Sequence, residues 1–290
     1  MSTLNINKIQ QKQLPPQWTS FVPEESYHAQ AQSGRAVSST MLKEFRRCPA
    51  HYHAIVTGRA TRRDKSVYRI GRAVHKLLLE GESAYRGSFF VGGPINERTG
   101  RSFSAESKTF LDWIEENGLE PGKVITGSEA VDIVRMRDAV RRHGEAAALL
   151  GKGWPERCAA AEYGGVWCQA RLDWLTPGGD VVDVKTTHDI TRFEEEARRY
   201  GYLYQFAFYR EVLLAAGAGD VSMAAVVIEK REPFRVGVWR FPVSVLTPYA
   251  MRNRAALRVL ARCRESGIWP TGYEEARVFP PADTPKAWLN

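Results

Sequence analysis

Residues 170–187 read ARLDWLTPGGDVVDVKTT, and this stretch decides how the rest of the chain is read. Pro177, Gly178 and Gly179 make a turn, because proline presets one backbone angle and glycine tolerates the others. The apolar-rich segments on either side then read as two strands lying side by side. Asp173 ends the first. Asp183 and Lys185 are two apart on the second, so both side chains leave the same face, while Val184 points the other way into apolar packing. This pairing brings Asp173 close to Asp183. Two such carboxylates repel unless a cation lies between them, and hard oxygen ligands suit Mg²⁺ or Mn²⁺. The backbone carbonyl of Val184 can add a ligand, and Lys185 can orient an attacking water or stabilise charge on phosphate oxygens. Hydrolysis of a phosphodiester needs these functions. The alternative is a surface hairpin with an ordinary Asp–Lys ion pair, since short motifs recur by chance. Against it, the second strand is nearly apolar apart from those two residues, and a charge buried there requires a partner or a metal.

Working outward, residues 158–162 and 166–174 read as strands joined by a Gly164-Gly165 turn, and residues 181–185 as a short strand. Residues 193–216 are rich in aromatics and fit one long helix. Residues 221–229 and 235–241 pair as an antiparallel hairpin, and a last helix is predicted from near Pro248 to about Arg264. Upstream, VSSTMLKEFRRCPAHYHAIV (37–56) begins with the capping residues Ser38, Ser39 and Thr40, and Pro49 interrupts it or begins a second helix. Helices follow at 70–79, 106–117 (ended by Gly118) and 128–143, with a further turn at 146–150. The expected fold class is α/β: a mixed central β-sheet flanked by helices, with a helical N-terminal portion. The expected organisation is an arm over 1–36, a single domain over 37–280 (mainly helical to 150, catalytic sheet and helices from 151), and a tail over 281–290.

The 290 residues carry 41 basic against 33 acidic side chains, a formal net charge of +8, which favours a polyanionic partner. Much of this charge sits in GRATRRDKSVYRIGRAVHKLLLEG (58–81). There Arg59, Arg62, Arg63, Lys65, Arg69, Arg72 and Lys76 surround His75 with Asp64 as the one acid before Glu80, a composition suited to a groove wall that contacts phosphates. A solvated surface run is the alternative. A second, less specific cluster is Arg135, Arg137, Arg141 and Arg142. Gln205 and Tyr209, four apart, share one helix face, and a glutamine among aromatics needs hydrogen-bond partners if buried. Cys48, Cys158, Cys168 and Cys263 show no CxxC spacing and read as thiols in a reducing compartment, the cytoplasm. No apolar run reaches transmembrane length, so no membrane association is expected.

Taken in order, these residues resemble the PD-(D/E)xK nuclease superfamily. Within it they resemble phage recombination exonucleases of the RecE type (exodeoxyribonuclease VIII) and, more distantly, lambda-type exonucleases. Asp173 matches the first aspartate and Asp183-Val184-Lys185 the (D/E)xK element. His75, in GRAVH, is similar to the histidine on the helix before the core. Glu156, in GKGWPE, is similar to the upstream acid, with Glu162 a competing candidate. YGYLYQFAFY (200–209) resembles the QxxxY helix through Gln205 and Tyr209. VSSTMLKEFRRCP resembles the opening helix, where Ser38, Thr40 and the nearby basic Arg46 approach DNA. The likeness spans roughly 37–273. It departs from the family in lacking a proline-containing signature after the first aspartate, and the scattered cysteines lead us to expect no iron–sulfur cluster.

The resemblance implies a restriction-endonuclease-like core and an Mg²⁺-dependent exodeoxyribonuclease, with Mn²⁺ able to substitute. Asp173, Asp183 and the Val184 carbonyl would hold the ion, and Glu156 and His75 would complete its surroundings. It further implies 5′-to-3′ degradation of linear double-stranded DNA from its ends, leaving 3′ overhangs for a single-strand annealing protein of the RecT or Red-beta type. A homo-oligomeric ring, trimeric or tetrameric, and a phage or prophage origin in a bacterial host go with it. Two alternatives stay open: a structure-specific or restriction-like endonuclease of the same fold, and a catalytically degenerate DNA-binding protein.

Overall fold

The computed structural model describes residues 16–61 and 69–278. The described chain opens with strand β1 (Ser20–Phe21) and helix α1 (Glu24–Gln32), then α2 (Ser39–Arg47) and α3 (Pro49–Val56). Ser38 caps α2 by accepting from the Met41 amide, and Pro49 takes the first position of α3, where its missing N–H costs nothing. Helix α4 (Arg69–His75) runs into a π-helical turn at Lys76–Glu80, so the predicted helix over 70–79 changes winding directly after His75. Such turns often mark functional positions.

Helix α5 (Glu82–Ser88) leads into a small excursion made of β2 (Phe90–Val91), β3 (Ile95–Asn96), β4 (Arg101–Ser102), α6 (Lys108–Glu116) and β5 (Val124–Ile125). It closes its own minor core on Phe110 and Ile114. Helix α7 (Gly127–Arg142) starts at a full capping box, with Thr126 and Glu129 satisfying each other's backbone amides, and α8 (Gly144–Gly151) follows.

Strands β6 (Trp154–Tyr163), β7 (Val166–Leu175) and β8 (Asp180–Thr187) form the expected meander. The helix expected over 193–216 is two helices, α9 (Phe193–Tyr200) and α10 (Tyr202–Ala215). Gly201 separates them with a left-handed φ of 79°, a conformation glycine adopts without a steric penalty. Strands β9 (Ser222–Glu229) and β10 (Val236–Phe241) pair antiparallel as expected. The closing helix α11 (Val243–Ser266) begins five residues before the predicted Pro248, because Pro242 already caps it and a proline one turn further in removes only one donor.

The main sheet has the order β1-β6-β7-β8-β9-β10. All its pairs are antiparallel except β8 with β9, which α9 and α10 connect, so the sheet is mixed. One face packs Leu172, Val181, Ala225 and Val227 against α2, α10 and α11; the other packs Val182, Val184, Val226 and Ile228 against α4, α7 and α8. Val182 and Val184 face one layer and Val181 the other, as a period of two requires. The predicted arm is partly built into this body, since β1 extends the sheet along β6 and the buried Tyr27 accepts a bond from Gln169 through its carbonyl.

Candidate active site

The site forms where β7 and β8 part. Their ladder holds only Trp174 with Val182 and Leu175 with Val181, next to the TPGGD turn. One step further, Asp173 would face Asp183. Instead the Asp173 carboxylate fills the gap and accepts the Val184 amide at 2.9 Å, doing the work of a missing ladder carbonyl. Strand β8 stays fixed from its other side by eight register pairs to β9, from Asp180 with Ser222 to Thr187 with Glu229. Strand β7 is held in the same way by nine register pairs to β6, so both walls of the fork are anchored in the sheet.

Five more side chains converge here. Asp183 is almost fully buried, at 1% exposure, and is ion-paired with Lys185. The Lys185 ammonium also lies 4.9 Å from the Tyr202 ring. Gln205 donates from Nε2 to Asp183 Oδ1 at 3.4 Å and to the Tyr209 hydroxyl at 3.0 Å, so the glutamine among aromatics has found its partners. His75, at the end of α4, places Nε2 2.5 Å from the Val184 carbonyl and Nδ1 3.4 Å from Asp173 Oδ2.

Charge explains how these groups behave together. Burial, reinforced by the neighbouring Asp183, raises the Asp173 carboxyl to about 7. Burial pushes Lys185 down, but Asp183 and Asp173 outweigh it and hold its ammonium well above the ordinary lysine value. Burial, and then the Lys185 charge, lowers His75 and keeps its ring neutral. The bond to the Val184 carbonyl puts the ring proton on Nε2, which assigns a lone pair to Nδ1. That lone pair faces a carboxylate oxygen 3.4 Å away. Two acceptors so placed call for a proton or a cation between them.

Among the described residues, no group of three or more His, Cys, Asp or Glu side chains is arranged to hold a metal ion. A small hard cation needs fewer: Mg²⁺ is commonly bound through one or two carboxylates and keeps several waters. The donors present fit that pattern. Asp183 is buried, with the Lys185 ammonium against Oδ2 as its counter-charge and Gln205 on Oδ1 at 3.4 Å, which leaves further lone pairs on the carboxylate unused. The Val184 carbonyl retains a second lone pair beside the one that meets His75.

Glu156 sits opposite Asp173 in the β6–β7 register, between the pairs Pro155 with Trp174 and Arg157 with Leu172. Its backbone holds a left-handed φ of 54°, a strained choice for a side-chain-bearing residue and one that tends to persist at functional sites. Burial, and then Asp173, raises its carboxyl, while Arg171 binds it at 2.5 Å. Glu162 pairs with Trp167 at the far end of the same hairpin, exposed and away from the fork. Of the two candidates, the structure brings only Glu156 to the site.

The expected DNA-contacting residues are placed unevenly. Arg62 and Arg63 lie outside the described residues. Arg69 does not face a groove: it is 7% exposed and grips Glu129 through two bonds of 2.6 and 2.7 Å while donating to the Val124 carbonyl. A guanidinium desolvated this far needs a carboxylate, and it ties α4 to the capping box of α7. Ser38 is likewise buried in its cap, and Thr40 is half-buried beside it. Arg46 lies over the Tyr204 ring and donates to Asn253. Arg72 reaches the Gly122 carbonyl, Lys76 pairs with Glu80, and Arg59 reaches His53 and Thr57 from the surface. Arg171 was not anticipated. It sits two residues before Asp173, and only the tertiary fold shows that it holds Glu156 and reaches back to Glu24 and the Val22 carbonyl.

Comparison with known proteins bears on the fold and the family. No curated protein matches the chain. Among solved structures, a candidate exonuclease from Eubacterium rectale superposes with a TM-score of 0.64 at 13% identity, covering 91% of this chain and 97% of that one. That similarity is one of fold. A phage-related exonuclease from Haemophilus somnus 129PT gives a TM-score of 0.34 at 12% identity, over 80% of this chain and 96% of its own, too slight a superposition to argue from. Over residues 38–279 the sequence matches the family described as a PDDEXK-like domain of unknown function, and the chain belongs to that family.

Proposed function

We propose that this chain is a metal-dependent deoxyribonuclease that hydrolyses DNA phosphodiester bonds, working as a 5′-to-3′ exonuclease on linear duplex ends. The observation that carries the reading is the fork itself, where Asp173 and the buried Asp183 converge and Lys185 sits against the Asp183 carboxylate.

Asp173, Asp183 and the Val184 carbonyl would hold Mg²⁺, or Mn²⁺ in its place, with Glu156 and His75 alongside. When bound, such an ion neutralises the scissile phosphate and acidifies water. The chain's own groups do the rest. Lys185 keeps its proton beside the two carboxylates, so its ammonium can orient water or bind a phosphate oxygen. Gln205 fixes the Asp183 carboxylate, and Tyr209 fixes Gln205. His75 holds the Val184 carbonyl and faces Asp173 with its free nitrogen. The resemblance to RecE-type enzymes supports the finer points: 3′ overhangs handed to a RecT- or Red-beta-type annealing protein, a trimeric or tetrameric ring, and a phage or prophage source in the bacterial cytoplasm. Among the described residues, no helix is long and apolar enough to cross a membrane.

The test is digestion of linear duplex DNA labelled separately at its 5′ and 3′ ends, with Mg²⁺ present or chelated, beside covalently closed circular DNA and Lys185→Ala protein. Early release of the 5′ label that needs Mg²⁺ and Lys185 and spares the circle is the expected result. Cutting of the circle would replace it with an endonuclease of the same fold. DNA binding without cleavage under any divalent metal would leave a degenerate DNA-binding protein.

A further inference from the structure

A second basic feature lies at the opposite end of the β6–β7 hairpin. Helix α11 carries Arg254, Arg258 and Arg262 at intervals of four, so they stand in one row about 6 Å apart along the helix axis. All three are exposed and line an open cleft of about 510 Å³ between the helix and the Gly164-Gly165 turn. The turn fits closely against the helix. Gly164 has a left-handed φ of 64°, and a Cβ there would stand 2.8 Å from the Leu257 Cβ. Ala261 leaves the cleft floor low.

The charges are poorly balanced within the cleft. Arg254 pairs with Glu211 at 3.1 Å, whereas Arg258 and Arg262 have no ion pair or hydrogen bond among the described residues. Glu162 is the one acid on the lining. Two unpaired guanidiniums in a row beside an open cleft select a ligand with repeated negative charge. A nucleic-acid strand has that chemistry, and the row of three spans about 12 Å, the length of three to four phosphates of one duplex strand.

We propose that this arginine row is a second backbone-binding site, which holds a DNA strand away from the cut. It rests on the nuclease reading. Along β6 and β7 the cleft lies six residues from the level of Glu156 and Asp173, roughly 20 Å. It would therefore grip DNA about six base steps from the reacting phosphate without reading bases.

Binding of fluorescein-labelled duplex and single-stranded oligonucleotides to chelator-treated full-length protein tests this without relying on cleavage. The combined Arg258→Ala and Arg262→Ala variant is compared with the wild type and with Lys108→Ala plus Lys123→Ala. The control pair is exposed on the small excursion around Phe110, outside both basic clusters, and removes the same net charge. The expected result is a slope of log affinity against log salt that falls by about 1.8 for duplex, affinity weaker by roughly tenfold near 0.1 M salt, and little change in the control. Replacing both arginines with lysine should keep the slope. An unchanged slope in the alanine variant, or an equal loss in the control, overturns the second site while the nuclease reading stands. Absence of DNA binding by the wild type overturns both. Capture of polyglutamate with no effect on oligonucleotide binding would assign the row to an acidic protein segment and overturn the inference.

Discussion

Replacing Asp173 with asparagine should stabilise the metal-free protein at pH 8 while destroying its activity. The carboxyl is held near 7 against an ordinary value of 3.8, first by burial and then by Asp183. The folded state thus keeps a proton that the unfolded chain releases. Stability from this group is highest below pH 4 and falls as pH rises towards 7, with a limiting cost of about 4 kcal/mol. The side chain keeps 18% of its exposure, so water screens part of that, and about 2 kcal/mol is expected. Asparagine preserves the shape and can still accept the Val184 amide. At about 2–4 °C per kcal/mol, the variant should melt roughly 4–8 °C above the wild type at pH 8 in chelator. The gap should shrink by more than half by pH 5. His75 works with the opposite sign, because its lowered value lets stability rise with pH, but it is present in both proteins and largely cancels in the difference. Mg²⁺ should raise the wild-type melting temperature at pH 8 and leave the variant's unchanged. Calorimetry across pH 5–8 measures all of this. A variant that melts below the wild type at pH 8, or a gap that does not vary with pH, would refute the claim that two unneutralised carboxylates strain this fork.

Three further outcomes are expected. Lys185→Met leaves the Asp183 charge buried without its counter-ion, so urea denaturation in chelator should show a loss of about 3–5 kcal/mol, while single-turnover cleavage falls far more than DNA affinity. Arg69→Met should cost about 3 kcal/mol by stranding Glu129, yet shift DNA affinity by less than threefold in a filter-binding assay; a large affinity loss in a folded variant would return Arg69 to the DNA surface. Gly164→Val combines a left-handed backbone with a collision against Leu257 and should lower stability by about 2 kcal/mol or more by thermal melting, with no change at the fork's own groups.

Much of the fold was legible because it rests on local rules. Alternation, two turns and caps placed the β6–β7–β8 meander and the β9–β10 hairpin, and the spacing of Asp183 and Lys185 put them on one face. What escaped depends on contacts distant in sequence. Arg69 was counted with its basic neighbours, and its partner lies sixty residues away in a cap whose own signature, Thr126 and Glu129, is local. Glu156 could not be separated from Glu162 until the register set one beside Asp173 and the other at the hairpin tip. Gly201 falls inside the one helix expected over 193–216, because a single glycine interrupts a helix only where the packing asks the chain to turn. The arginine row on α11 has a plain period of four, but nothing in the sequence says that a glycine turn docks beside it.

The amide of Val184 is also a built-in indicator. Because its acceptor is a titrating carboxylate rather than another peptide, its proton resonance and exchange rate must follow the charge on Asp173. Its neighbours in β8 are held by β9, whose pairing has no titrating partner along Val181 to Thr186. One peptide group in a rigid strand can thus be watched in solution as the fork gains a proton, loses it or takes up an ion.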